Sequence, residues 1–199
     1  MVLSAVLCVS FALLMTVTLL AAQSSAEPPL IAADLRQFED CQFPCWNGIQ
    51  PDEMPIVRAN RILTEAGYLL DTPADSDGAF YYYRPPSPDR CAVQLDVRET
   101  IVRRIQLEDC PPTRLGDVIR VLGHPAGVLA ERSGVAFGDS SLIVFMPPVL
   151  CEQVYKPDAF ILSIDLRNAI MLSDYLQPWR GFYDGRYYQP HPQASVQCR

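Results

Sequence analysis

Apolar residues recur along this chain with two different periods, and the two alternate. Ile56, Val57, Ala59, Ile62, Leu63 and Ala66 keep a mostly helical spacing that stops at Gly67. Pro55 suits the opening turn of that helix, where a missing N–H leaves nothing unpaired. A second helical stretch carries Leu115, Val118, Ile119 and Leu122. Thr113 is placed to cap it, and Gly123-His124-Pro125 to end it. Elsewhere the period is two. Val93, Leu95 and Val97 oppose Gln94, Asp96 and Arg98; Ile101, Arg103, Ile105 and Leu107 oppose Val102, Arg104 and Gln106. Phe160, Leu162, Ile164 and Leu166 oppose Ile161, Ser163, Asp165 and Arg167. Such alternation predicts antiparallel strands with one face buried and one wet. Residues 79–84 and 142–146 predict two more strands, the first following an Asp77-Gly78 turn.

These elements predict an α+β fold in two layers, with an antiparallel sheet covered on one face by helices and open on its polar face. Arg103 is the awkward member, since strict alternation puts it on the apolar face; the sheet rim would let its charge reach water. The pattern also repeats weakly. Ile62-Leu63-Thr64-Glu65-Ala66-Gly67 matches Val118-Ile119-Arg120-Val121-Leu122-Gly123, Arg84-Pro85-Pro86 matches Met146-Pro147-Pro148, and Cys91 matches Cys151. Residues 100–109 match 159–168, with Ile101, Ile105 and Leu107 over Phe160, Ile164 and Leu166. The order suggests a duplicated helix-plus-strands unit with variable loops. Its copies would occupy 49–110 and 111–170, between a cysteine-containing segment at 27–48 and an aromatic tail at 171–199.

Residues 1–22 hold no charged side chain and include a run of Phe11, Leu13, Leu14, Met15, Val17, Leu19 and Leu20. Small residues follow, with Ser24 and Ala26 before Glu27-Pro28-Pro29. That order predicts a secretory signal peptide over 1–26. The alternative is a retained anchor, because the stretch approaches the roughly 20 residues that span a bilayer.

Cysteine usage agrees with export. Setting aside Cys8 in the signal leaves Cys41, Cys45, Cys91, Cys110, Cys151 and Cys198, an even set that predicts disulfides formed outside the cytosol. Sequence leaves the pairing open; Cys91 with Cys110, flanking the last hairpin of the first sheet, is the best single pair. Metal binding is not expected, since there is no C-x-x-C pair and His124 and His191 lack ligand spacing. Net charge is −7 and Lys156 is the only lysine. With no basic run to contact phosphates, nucleic acid is an unsuitable partner.

The segment Thr113-Arg114-Leu115-Gly116-Asp117-Val118-Ile119-Arg120-Val121-Leu122-Gly123-His124-Pro125 resembles the threonine-capped, L-G-x-P-terminated helix of the β-lactamase-inhibitory-protein-like group. That group includes the small lipoprotein of the outer-membrane barrel assembly machinery. The resemblance implies helices followed by an antiparallel sheet, sometimes in tandem, and binding of other proteins on exposed sheet and loop surfaces. Cys41-x-x-x-Cys45-Trp46-x-Gly48-Ile49-x-Pro51 also resembles uncharacterised secreted bacterial proteins.

Catalytic patterns are incomplete. Gly138-Asp139-Ser140 looks like an esterase nucleophile block, but Tyr188 stands three residues before His191, where such an enzyme needs an aspartate. Cys41-x-x-x-Cys45 has one residue too many for a thioredoxin-type motif. Asp75-Ser76-Asp77-Gly78 lacks the other acidic positions of a calcium loop. Asp96 with Glu99, or Glu108 with Asp109, could serve as acid and base in a glycosidase if their separation suited it. Aromatic residues remain: Tyr81-Tyr82-Tyr83 on a strand, and Tyr175, Trp179, Phe182, Tyr183, Tyr187 and Tyr188 in the tail. They buy recognition area at low entropic cost. Tyr81, Tyr83, Gln94, Arg104, Arg167 and Trp179 are therefore the expected binding surface. The sequence points to a secreted, disulfide-stabilised, cofactor-free and non-enzymatic binding or scaffold module. Its partner would be an extracytoplasmic protein or envelope component, with the membrane involved only if the N-terminal segment is retained. A small secreted hydrolase using acidic residues is the alternative.

Overall fold

Among the described residues, three helices precede or interrupt the strands: α1 (Ala32–Arg36), α2 (Ile56–Glu65) and α3 (Leu115–Leu122). After α2 come β1 (Leu69–Thr72), β2 (Phe80–Arg84), β3 (Ala92–Arg98) and β4 (Ile101–Glu108), each antiparallel to the one before. The chain then passes through α3 to the far side of the sheet. It returns inwards by β5 (Gly127–Leu129), β6 (Gly134–Phe137), β7 (Leu142–Phe145) and β8 (Ser163–Arg167). β8 pairs with β4, and β9 (Gln177–Pro178) closes the outer edge on β5. The nine strands form a single sheet in the order β1-β2-β3-β4-β8-β7-β6-β5-β9. This computed structural model describes residues 32–38, 44–72, 80–129, 133–147, 155–168 and 176–182. The expected signal segment, the Asp77-Gly78 turn, and Cys41, Cys151 and Cys198 lie outside them.

The nine-stranded antiparallel sheet corrects the expected two-layer α+β domain, in which a duplicated helix-plus-strands unit was to be covered on one face by helices. Nine strands at about 4.8 Å spacing are nearly 40 Å wide. Helices of ten and eight residues are only about 15 and 12 Å long. The short α1 and loop residues complete the cover on the same side: Leu35 of α1 with Phe38, Trp46, Ile49 and Tyr155 joins Ile56, Ala59, Leu63, Leu115 and Val118 in one core against Leu95, Ile105, Ile164 and Leu166. The four strands that the sequence did not predict, β1, β5, β6 and β9, have only two to four residues. A run that short shows no alternation, which is why the sequence under-counted strands.

The two longer helices are fastened to the sheet alike. Ile56 N–H donates to Thr100 O (2.9 Å) and Val102 N–H to Met54 O (2.9 Å), around a Pro55–Ile101 bridge. Leu115 N–H donates to Ala159 O (2.8 Å) and Ile161 N–H to Thr113 O (2.9 Å), around an Arg114–Phe160 bridge. Carbonyls just ahead of β4 and β8 thus take up a first-turn donor of each helix that would otherwise be unpaired. This displaces the expected Thr113 cap: the N-cap residue is Arg114, no side chain caps it, and the buried Thr113 hydroxyl donates to Pro111 O (2.7 Å). The likeness is local. Beyond it the strands of the two halves differ in length and in what covers them.

A bulge overrides strict alternation in β4. Asp96 pairs with Arg104 and Val97 with Val102, so Arg103 is an extra residue. The bulge turns Val102 into the core, leaves Ile101 half-buried, and lets the Arg103 guanidinium reach Asp52 at 2.8 Å. The pattern also slips before β8, where Ile161 is buried while Phe160 and Leu162 are exposed.

Cys91 and Cys110 are disulfide-bonded across the β3–β4 hairpin, and Cys45 is disulfide-bonded as well. The bond suggests an extracytoplasmic location. Among the described residues no helix is long and apolar enough to cross a membrane. Beside the disulfide, the buried Asp34 carboxylate accepts Cys91 N–H (2.7 Å) and Tyr68 O–H (3.2 Å), while its backbone carbonyl accepts the Trp46 indole N–H (3.1 Å). Burial, more than any neighbour, pushes the Asp34 carboxyl above the usual aspartate value; it pushes Tyr68 up too, with Asp34 adding to the effect.

Candidate functional site

Alternation along β2, β3, β4 and β8 turns one set of side chains away from the core, and strand register arranges that set in rows. One row runs Tyr82, Gln94, Gln106, Asp165; the next runs Phe80, Asp96, Arg104, Arg167. Most are half-buried, Phe80 is exposed, and Asp165 is 1% exposed.

Register sets Arg104 directly opposite Arg167, an arrangement that repels unless a carboxylate intervenes. Asp165 supplies it. Arg104 Nε donates to Asp165 Oδ1 at 2.7 Å, its other arm reaches Asp96 Oδ2 at 3.4 Å, and Arg167 Nε lies 3.7 Å from Asp165 Oδ2. Burial opposes the charged form of Arg104, yet the hydrogen bond and charge of Asp165, helped by Asp96, hold its pKa above the usual arginine value. Around this group Gln94 donates to Asp96 (3.2 Å), Gln106 to Glu108 (2.5 Å) and Tyr82 to Asp109 (3.4 Å). Burial and then Asp109 raise the Glu108 carboxyl above its usual value, and burial and then Asp109 raise Tyr82.

Of the residues read from sequence as a binding surface, Gln94, Arg104 and Arg167 come together here. Tyr81 and Tyr83 do not: Tyr83 is fully buried and Tyr81 packs against the core. The strand's outward aromatics are Phe80 and Tyr82. Trp179 also packs against the core, edge-on to Tyr155 and Phe182. Sequence reasoning missed Asp165 as a site residue, although its position on a polar strand face between a serine and an arginine was the available signal.

At one end of this face lies an open cleft of about 510 Å³, lined by Phe80, Asp96, Val97, Arg98, Glu99 and Arg103. The other motifs do not build a site. Gly138-Asp139-Ser140 forms the turn between β6 and β7, with Gly138 and Ser140 at positive φ. Trp46, beside Cys45, is a fully buried core residue. Among the described residues no three His, Cys, Asp or Glu side chains gather to hold a metal ion. Comparison with protein-family models, with curated proteins and with solved structures found no match to this chain.

Proposed function

We propose that this chain is an exported, disulfide-stabilised binding module whose polar sheet face docks an extracytoplasmic protein or envelope component. The observation that carries this reading is the pair of registered rows on β2, β3, β4 and β8. Arg104, Asp96, Gln94 and Asp165 hold one another, Glu108 and Asp109 hold Gln106 and Tyr82, and all but Asp165 stay partly open to solvent. A face ordered before binding loses little side-chain entropy when a partner arrives, and tyrosine and arginine are the side chains that dominate such contacts. A hydrolase would need a free carboxyl pair here; Asp96 and Asp165 instead share the Arg104 guanidinium.

The test is affinity capture of the mature oxidised protein from its own cell envelope, read by mass spectrometry. Tyr82→Ala with Gln106→Ala should lose the retained partner, while Arg61→Ala on the exposed face of α2 should keep it. Capture unchanged by the face variant would overturn the reading.

A further inference from the structure

Three separate features meet at the cleft beyond the β3–β4 turn. The first is its make-up: about 510 Å³ with an aromatic wall, Phe80, that remains 47% exposed. That volume falls in the range of small-molecule sites, roughly 300–1,000 Å³. The second is the turn. Glu99 and Thr100 both have positive φ, 54° and 66°, a conformation that suits Asn-Gly and strains a β-branched threonine. The third is the bulge at Arg103, a device that re-aims side chains and recurs next to binding sites.

The chemistry is set by counting donors against acceptors. Asp96 already accepts from Gln94 and Arg104, neither of which lines the cleft. Arg103 meets Asp52, also outside it, through one nitrogen. Arg98 lies 4.0 Å from Glu99, and both side chains are more than three-quarters exposed, 79% and 76%. Each guanidinium offers five N–H donors, so the cleft has donors to spare beside an aromatic wall and Val97. We infer that this cleft binds a compact ligand joining an aromatic or apolar body to a carboxylate, the body against Phe80 and Val97 and the carboxylate on Arg98. Such chemistry belongs both to small aromatic acids and to the chain end of a protein. The inference deepens the binding-module reading, on which it rests, by naming what the end of the polar face accepts.

N-acetylphenylalanine, its amide, and a short peptide ending in phenylalanine can be titrated into the ¹⁵N-labelled mature oxidised protein. The acid should shift the backbone signals of Phe80 and residues 96–103 and bind about tenfold more tightly than the amide, a difference of about 1.4 kcal/mol. Arg98→Ala should bring the acid down to the level of the amide, and Phe80→Ala should weaken both; the two side chains are exposed, so both variants should fold. A tighter peptide assigns the site to a protein chain end, and a tighter free acid to a small molecule. No shift at Phe80 and 96–103, or an acid-to-amide ratio unchanged in Arg98→Ala, overturns the inference. Partner capture by the polar face, measured separately, would survive that result.

Discussion

One row of side chains crosses the sheet and changes character on the way. It begins as Tyr82, Gln94, Gln106 and Asp165 and continues as Ile143, Ala136 and Gly127. On the β2–β4 side the outward face is polar and the strands are long, with seven residues in β3 and eight in β4. That half gains further fastening from the Cys91–Cys110 disulfide and the Asp34 network. On the β5–β7 side the strands have three or four residues and both faces are buried. Leu129, Ala136 and Ile143 form a second cluster with Phe145 and Leu176, on the face opposite Val128, Val135 and Val144. Packing there is close: a Cβ at Gly127 would sit 2.5 Å from the Gln177 carbonyl oxygen. The short strands β5, β6 and β7 are held by burial on both faces, whereas the longer, cross-linked β3 and β4 keep one face partly open to solvent.

The sharpest way to break this comparison is to truncate the outward row where it is apolar. Ile143→Ala should lower the unfolding free energy by about 3–4 kcal/mol in urea titration, as a core truncation does, though Ile143 points away from the main core. A loss under 1 kcal/mol would mean that the second face is not packed. Next, Cys91→Ser with Cys110→Ser opens a loop with sequence separation 19 and should cost about 3 kcal/mol, read as a lower denaturation midpoint. Arg104→Ala should cost about 2 kcal/mol, since it leaves the buried Asp165 with Arg167 alone. That is below the full loss of a buried pair because the Arg104 side chain is 31% exposed.

The following effect is a slope rather than a step. Folding raises the Asp34 carboxyl above the ordinary aspartate value, chiefly by burial. The folded protein therefore holds that proton more tightly than the unfolded chain does. The contribution of this group to stability is fully present below the unfolded value and is lost as pH rises through the folded one. Asp34→Asn removes the titration. Its unfolding free energy relative to wild type should climb with pH across that acid window and level off above it; a difference independent of pH would remove Asp34 as the cause. The smallest effect is Gln94→Ala in the polar part, about 0.5 kcal/mol or less. A larger loss there would erase the contrast with Ile143.

By itself the sequence determined the helices at Ile56 and Leu115, the alternating strands at 93–98 and 104–107, and Cys91 with Cys110 as the best pair. These follow from local periods and from cysteines that flank one hairpin, so neighbouring residues suffice to read them. Tertiary structure alone decided that β8 joins β4, turning what reads as two helix-covered units into one nine-stranded sheet, because a strand's sequence does not name its partner. It also decided that Tyr82 and not Tyr83 faces outward, since both faces of that strand carry aromatics and pairing selects the buried one. Asp165 is the clearest case. Its alternation marks a wet position, but pairing of β8 with β4 adds Arg104 to the Arg167 of its own strand, and a carboxylate met by two guanidiniums can be buried where an unpaired one could not.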